Sequence, residues 1–212
     1  LEVVPYPSRW DGDDWSIDLS ALDERIDDRT RAILVVSPNN PTGAVIRHAE
    51  ADQVLALCRE RGLALISDEV FADHVFTEAP SSVRSFAGRS EALVFVLSGL
   101  SKICLLPQLK AAWIAVSGPR DLADDALARL EVVTDTYLSV NTPVQLALPR
   151  LLALRERIRA PLMARLAANR ATLETALRGS GATPLRADGG WSAVIRVPRH
   201  PGEEERVLRL LA

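Results

Sequence analysis

The stretch "RAILVVSPNNPTGAVIRHAEADQVLALCRERGLALISDE" (residues 31–69) decides the fold. It opens with "RAILVVS" (31–37), a β-rich apolar run that stops at a Pro/Asn cluster. "HAEADQVLALCRERG" (48–62) then carries apolar residues at helical spacing and ends on Gly62, a natural helix stop. "LALIS" (63–67) predicts a second strand. Both strand runs are nearly continuous in apolar residues rather than alternating. Strands buried on both faces of a parallel sheet read this way. The expectation is an α/β fold with a mostly parallel sheet flanked by helices.

Further along, "EALVFVLS" (91–98) and "AAWIAVS" (111–117) predict a third and a fourth strand, and "LEVVPYP" (1–7) reads as another. From about Pro119 the character turns helical, in "DLADDALARLEVV", "PVQLALPRLLALRERI" and "PLMARLAANRATLETALRG". Pro143, Pro149 and Pro161 punctuate these segments, Pro161 suits the first turn of a helix, and Gly179 ends the last one. "GGWSAVIRVP" (189–198) predicts a strand after a Gly-Gly turn. We expect a large domain over 1–160, then an interdomain helix and the start of a smaller α+β C-terminal domain over 161–212. The chain opens on an apolar run without Met and stops within "EEERVLRLLA", an uncapped helical pattern. That reads as a piece of a longer protein.

Composition excludes several classes. The chain is 48% apolar and 25% charged, enough for a full core. Net charge is −3 with no basic patch, which argues against a nucleic-acid partner. Two cysteines make no disulfide framework and fit a reducing cytoplasm. Apolar runs fall well short of the roughly 18 residues a membrane span needs. No His/Cys group has metal-ligand spacing, so no metal is expected.

In open α/β sheets, ligands sit beyond the carboxyl ends of the strands. Beyond the first strand lies "PNNPTG" (38–43) with Asn40; beyond the second, Asp68-Glu69; beyond the third, "GLSK", ending at Lys102. Successive members lie about one β-α-β step apart. Singly, each has an ordinary reading: a turn, a helix cap, a solvated charge. Together they put an amide, a carboxylate and an amine on one face. The amine stands out, because 25 residues are Lys or Arg and only Lys102 and Lys110 are lysine. A primary amine can lose its proton and form an imine with an aldehyde, whereas a guanidinium stays protonated. This trio suits pyridoxal 5'-phosphate: the amine for its aldehyde, the carboxylate for its pyridine nitrogen, the amide for its ring hydroxyl.

At these residues the sequence closely resembles the class I/II aminotransferases, pyridoxal phosphate enzymes of fold type I. "SPNNPTG" (37–43), "LISDEVFADHVF" (65–76) and "SGLSK…PQLKAAWI" (98–114) match separated family motifs in order, and "DTYLSVNTPVQ" (135–145) and "GGWSAVIRV" extend the likeness. The resemblance implies an enzyme that moves an amino group from an amino acid to a 2-oxo acid. Lys102 would form the Schiff base and carry the proton. Asp68 would face the pyridinium and Asn40 the ring hydroxyl. Ser101 and Lys110 would hold the phosphate.

This chain departs from the family in places. Lys110 stands where arginine is common, so the phosphate would lose a bidentate partner. Phe71 stands where many members have a tyrosine, so it can pack beside the cofactor but not donate. Gly99 replaces a phosphate-binding serine; Ser98 next to it is a substitute, and Gly99 can allow a close backbone approach. The family's phosphate cup and ring-stacking aromatic would precede residue 1, and its carboxylate-binding arginine would follow residue 212. The chain alone is therefore expected to be inactive, within a full-length homodimer.

Other residues read as structural. Cys104 is expected as a buried thiol and His74 as a solvated loop residue or a neighbour of the substrate. Trp113 and Trp191 read as core, with Trp191 able to border the cleft. Tyr137, Ser139 and Asn141 would lie near the dimer interface, as the resemblance implies. Two further functions share the scaffold: a carbon–sulfur β-lyase, and a non-catalytic cofactor-binding effector domain of a regulator.

Overall fold

The computed structural model describes residues 1–76, 79–137, 139–199 and 202–211. Its centre is a four-stranded sheet of β3 (Ala32–Val36), β4 (Ala64–Asp68), β5 (Val94–Gly99) and β6 (Ala112–Ser117), in that spatial order. A small hairpin, β1 (Ser8–Trp10) with β2 (Trp15–Ile17), and a short helix, α1 (Leu19–Asp23), precede it.

The crossover unit forms as its sequence predicts. Between β3 and β4 runs α2 (His48–Arg61). Glu50 secures its start by accepting the Arg47 N–H at 2.9 Å. Gly62 stops it in a left-handed turn at φ 65°. Its buried residues, Ala51, Val54, Leu55 and Cys58, recur at helical spacing. They pack on Ile33, Val35, Leu65, Val94 and Val96 of the sheet. Each such aliphatic side chain contributes about 1.5–3 kcal/mol on full burial.

β3, β4 and β5 are parallel, with Val36 paired to Asp68 and Asp68 paired to Leu97. The carboxyl ends of the three strands are therefore level. β6 runs antiparallel to β5 and leaves Ile114 43% exposed, so its apolar run does not mean burial on both faces. Between Gly99 and Ala112 the longest helix is only four residues, so no crossover helix carries the chain back across the sheet for a parallel strand.

Three further expectations are corrected. Residues 1–7 form no strand. Pro5 and Pro7 lack the N–H a ladder needs, and the Tyr6 hydroxyl instead donates to the Leu34 carbonyl at 2.8 Å. Pro161 does not begin a helix. After α4 (Arg120–Thr136), α5 (Thr142–Ala153) ends at Leu154, and α6 (Arg155–Leu177) runs through Pro161. The carbonyl that Pro161 cannot bond belongs to exposed Arg157, where water can take it. Pro143 does sit in the first turn of α5, and Asn141 caps that helix. Finally, of 189–198 only β8 (Ile195–Arg196) is strand, paired with β7 (Thr183–Pro184). The last helix is α7 (Glu203–Leu211).

Candidate active site

The level strand ends set the site. Immediately after β5, the chain turns into a four-residue helix, α3 (Leu100–Ile103). The turn is tight: a Cβ on Gly99 would lie 2.9 Å from the Ala111 carbonyl oxygen. Serine there would clash with backbone, which accounts for the glycine. Leu100 is fully buried and its N–H bonds the Ala111 carbonyl at 3.0 Å, locking the turn. Lys102, half-buried, projects from it.

The loop beyond β4 supplies the neighbours of Lys102. Asp68 Oδ1 accepts the Val70 N–H at 3.1 Å, turning the chain. Glu69 is buried and structural, accepting the Ser67 hydroxyl at 2.9 Å and the Phe86 N–H at 2.8 Å. Phe71 follows, and its ring centroid lies 5.5 Å from Lys102 Nζ.

A second neighbour arrives from far along the chain. Trp191 places its ring centroid 4.9 Å from Lys102 Nζ and 5.2 Å from the Phe71 ring. His74 meets both rings edge-on, at 6.0 Å from Phe71 and 5.3 Å from Trp191. It is 1% exposed, so it is not a solvated loop histidine. Burial pushes the His74 imidazole below its ordinary pKa; Asp73 opposes this, while Arg159 and Lys102 reinforce it.

Backbone bonds deliver Trp191. Asp188 and Gly189 both donate to the Gly43 carbonyl at 3.0 Å, and Gly190 donates to the His74 carbonyl at 2.9 Å. Arg47 pairs with Asp188 at 2.8 Å and Asp14 at 2.6 Å, and donates to the Ser82 hydroxyl at 2.6 Å. Beside Trp191, the Ser192 hydroxyl donates to Asn40 Oδ1 at 3.3 Å. The segment from Asp188 to Ser192 thus bridges Asn40 and Lys102.

The remaining expected residues are more dispersed. Ser98 lies on β5 opposite Trp113, and Ser101 lies in α3; both are half-buried. Lys110 is exposed, at φ 53°, closing the 3-10 turn Pro107–Leu109. Among the described residues, no hydrogen bond or ion pair joins Ser98, Ser101 or Lys110 to Lys102. Cys104 is a buried thiol that donates to the Leu151 carbonyl at 3.4 Å, as expected. Trp113 packs on the Leu100 cluster, while Trp191 is 37% exposed at the mouth of the site. Tyr137 is 74% exposed. Arg47 and Asp188 carry no sequence signal, being 141 residues apart.

An amine, a carboxylate and an amide on one level edge fit a group with an aldehyde, a pyridine nitrogen and a ring hydroxyl. Aromatic faces beside the amine suit a flat ring. The fold is that of the fold-type-I pyridoxal phosphate enzymes. An alanine aminotransferase from Pyrococcus furiosus superposes over 93% of this chain and 51% of its own, with TM-score 0.74 and 26% identity. An N-succinyldiaminopimelate aminotransferase from Mycobacterium tuberculosis does so over 87% and 47%, with TM-score 0.69 and 27% identity. The chain belongs to the class I and II aminotransferase family, whose sequence model matches residues 1–209. An alanine aminotransferase of Mycobacterium tuberculosis is 32% identical over 135 residues, 63% of this chain and 31% of that protein. An S-alkyl-thiohydroximate lyase of Arabidopsis thaliana is 34% identical over 142 residues, 66% and 30% of the two chains. The chain thus spans about a third of the length of these curated relatives.

Proposed function

We propose that the protein containing this chain is a pyridoxal phosphate-dependent aminotransferase that moves an amino group from an amino acid to a 2-oxo acid. The observation that carries this is the level ending of β3, β4 and β5, which brings Asn40, Asp68 and Lys102 to one edge. When bound, the cofactor supplies an electron sink for the substrate α-carbon. Lys102 Nζ would hold the cofactor through its aldehyde and would be the group that moves a proton at the substrate α-carbon. Asp68 would keep the pyridine nitrogen protonated, and Asn40 would donate to the ring hydroxyl. Ser98, Ser101 and Lys110 would hold the phosphate, and Phe71 would pack beside the ring. Residues 1–160 belong to the cofactor domain, and residues 161–212 hold the interdomain helix and the start of a smaller C-terminal domain.

The test is reconstitution of the full-length protein with pyridoxal phosphate, borohydride reduction and peptide mapping. The label is expected on Lys102; a label on another residue, or none, overturns the assignment. Lys102→Arg is expected to abolish both the label and turnover. A carbon–sulfur β-lyase is the second reading, favoured by the similarity to the Arabidopsis lyase. Amine exchange that needs a 2-oxo acid supports the first. Release of ammonia and an oxo acid without an acceptor supports the second.

The partner surface we propose is a second copy. A groove of about 840 Å³ lies between β6, α4 and α5, lined by Trp113, Val132, Tyr137, Val140 and Leu148. Val132, Tyr137 and Leu146 expose 68–78% of their surface there and nearby. Among the described residues no helix is long and apolar enough to cross a membrane. A cytoplasmic homodimer is the assembly this reading calls for.

A further inference from the structure

The geometry points to Trp191 as a positioning residue whose ring face, with that of Phe71, holds the Lys102 amine whenever that amine is free. This rests on the reading of Lys102 as the reacting amine, and it goes beyond that reading by assigning a resting place for it. The two rings stand at 79° to each other with centroids 5.2 Å apart, forming a corner. Lys102 Nζ lies in that corner, within cation–π range of both faces. Among the described residues no hydrogen bond or ion pair ties the amine to a carboxylate or hydroxyl. Among the described residues, the two rings are what the amine sits against.

The corner is built to stay in place. His74, buried with its Nδ1 unpartnered, backs both rings. Burial, with Arg159 and Lys102 beside it, disfavours its cation against the opposing pull of Asp73. The strap that carries Trp191 fits without slack. A Cβ on Gly189 would lie 2.7 Å from the His74 carbonyl oxygen, and one on Gly43 would lie 2.4 Å from the Gly189 carbonyl oxygen. The Arg47–Asp188 pair fixes the strap from outside.

The reaction gives this corner a purpose. When a substrate amine displaces Lys102, one carbon–nitrogen double bond forms as another breaks, so no other reactant is consumed. The released amine must stay near the reacting carbon and must not be captured in a tight ion pair. Once the amine has taken a proton, an aromatic face attracts the cation yet offers no proton acceptor, so the amine is held near the reacting carbon and keeps that proton for the next transfer.

Substitution of each lysine makes a direct test possible. In the full-length protein freed of cofactor, reductive ¹³C-methylation labels the lysines and the N-terminal amine, and the signals lost in Lys102→Arg and in Lys110→Arg assign those two side chains. The Lys102 methyl signals are expected upfield of those of Lys110, because they sit over ring faces. Trp191→Leu should remove most of that shift, and Trp191→Phe should keep part of it. If the leucine variant fails to fold, the native shift and its change in Trp191→Phe decide the matter. Unshifted Lys102 signals, or signals indifferent to both substitutions, overturn the proposal. With cofactor restored, Trp191→Leu should lower kcat by about tenfold, with partial rescue in Trp191→Phe. An unchanged kcat removes the positioning role. Shifted signals in a protein with no transaminase activity would keep the resting place and overturn the aminotransferase reading.

Discussion

At the scale of single residues, His74 shows how burial selects a protonation state. Its imidazole is 1% exposed and held below its ordinary pKa, chiefly by burial. The unfolded chain therefore binds a proton more readily than the folded one. The stability this group contributes is complete above its unfolded value of about 6.5 and is lost as pH falls towards the folded value. His74→Phe removes that linkage. Thermal unfolding at pH 7.5 and pH 5.5 should show a smaller loss on acidification in the variant than in the native protein; equal losses would refute the assignment. The sequence marks His74 only as a neighbour of the Asp-Glu motif. Its edge-on contact with Trp191, more than a hundred residues away, leaves no mark in the sequence.

At the scale of elements, two glycines separate backbone strain from crowding. Gly62 ends α2 at φ 65°, and a Cβ there would meet nothing within 4 Å, so alanine incurs only the left-handed penalty. Gly43 combines φ 72° with backbone and side-chain atoms 2.4 and 2.6 Å from where its Cβ would stand. Gly62→Ala is expected to cost about 1 kcal/mol. Gly43→Ala is expected to cost about 3 kcal/mol and to loosen the strap beneath Trp191. Urea unfolding of both variants checks this, and equal costs would mean that the close approach at Gly43 relaxes freely. The α2 stop is legible in sequence because a helix terminus is a local event. The crowding at Gly43 is not, since its neighbours are Ala187 and Gly189.

At the scale of the whole molecule, Arg47 joins three distant parts: the β1–β2 hairpin through Asp14, Ser82, and the strap through Asp188. The Arg47 and Asp188 side chains are only 20% and 10% exposed. Arg47→Ala would leave Asp188 largely buried without its partner. The expected cost is about 2–3 kcal/mol, read as a lower urea midpoint. An unchanged midpoint would place the junction's strength in the backbone bonds alone.

The sequence by itself determined the crossover unit, its helix stop, and the amide, carboxylate and amine at three strand ends. Each follows from local periodicity, turn chemistry or the chemical uniqueness of an amine among arginines. Tertiary structure alone decided that β6 runs antiparallel, that α5 breaks at Leu154 and not at Pro161, and that Trp191 reaches Lys102. Those outcomes depend on which surfaces meet across long separations. Neither hydrophobic period nor turn propensity records that, because both report only on a residue's near neighbours in the chain.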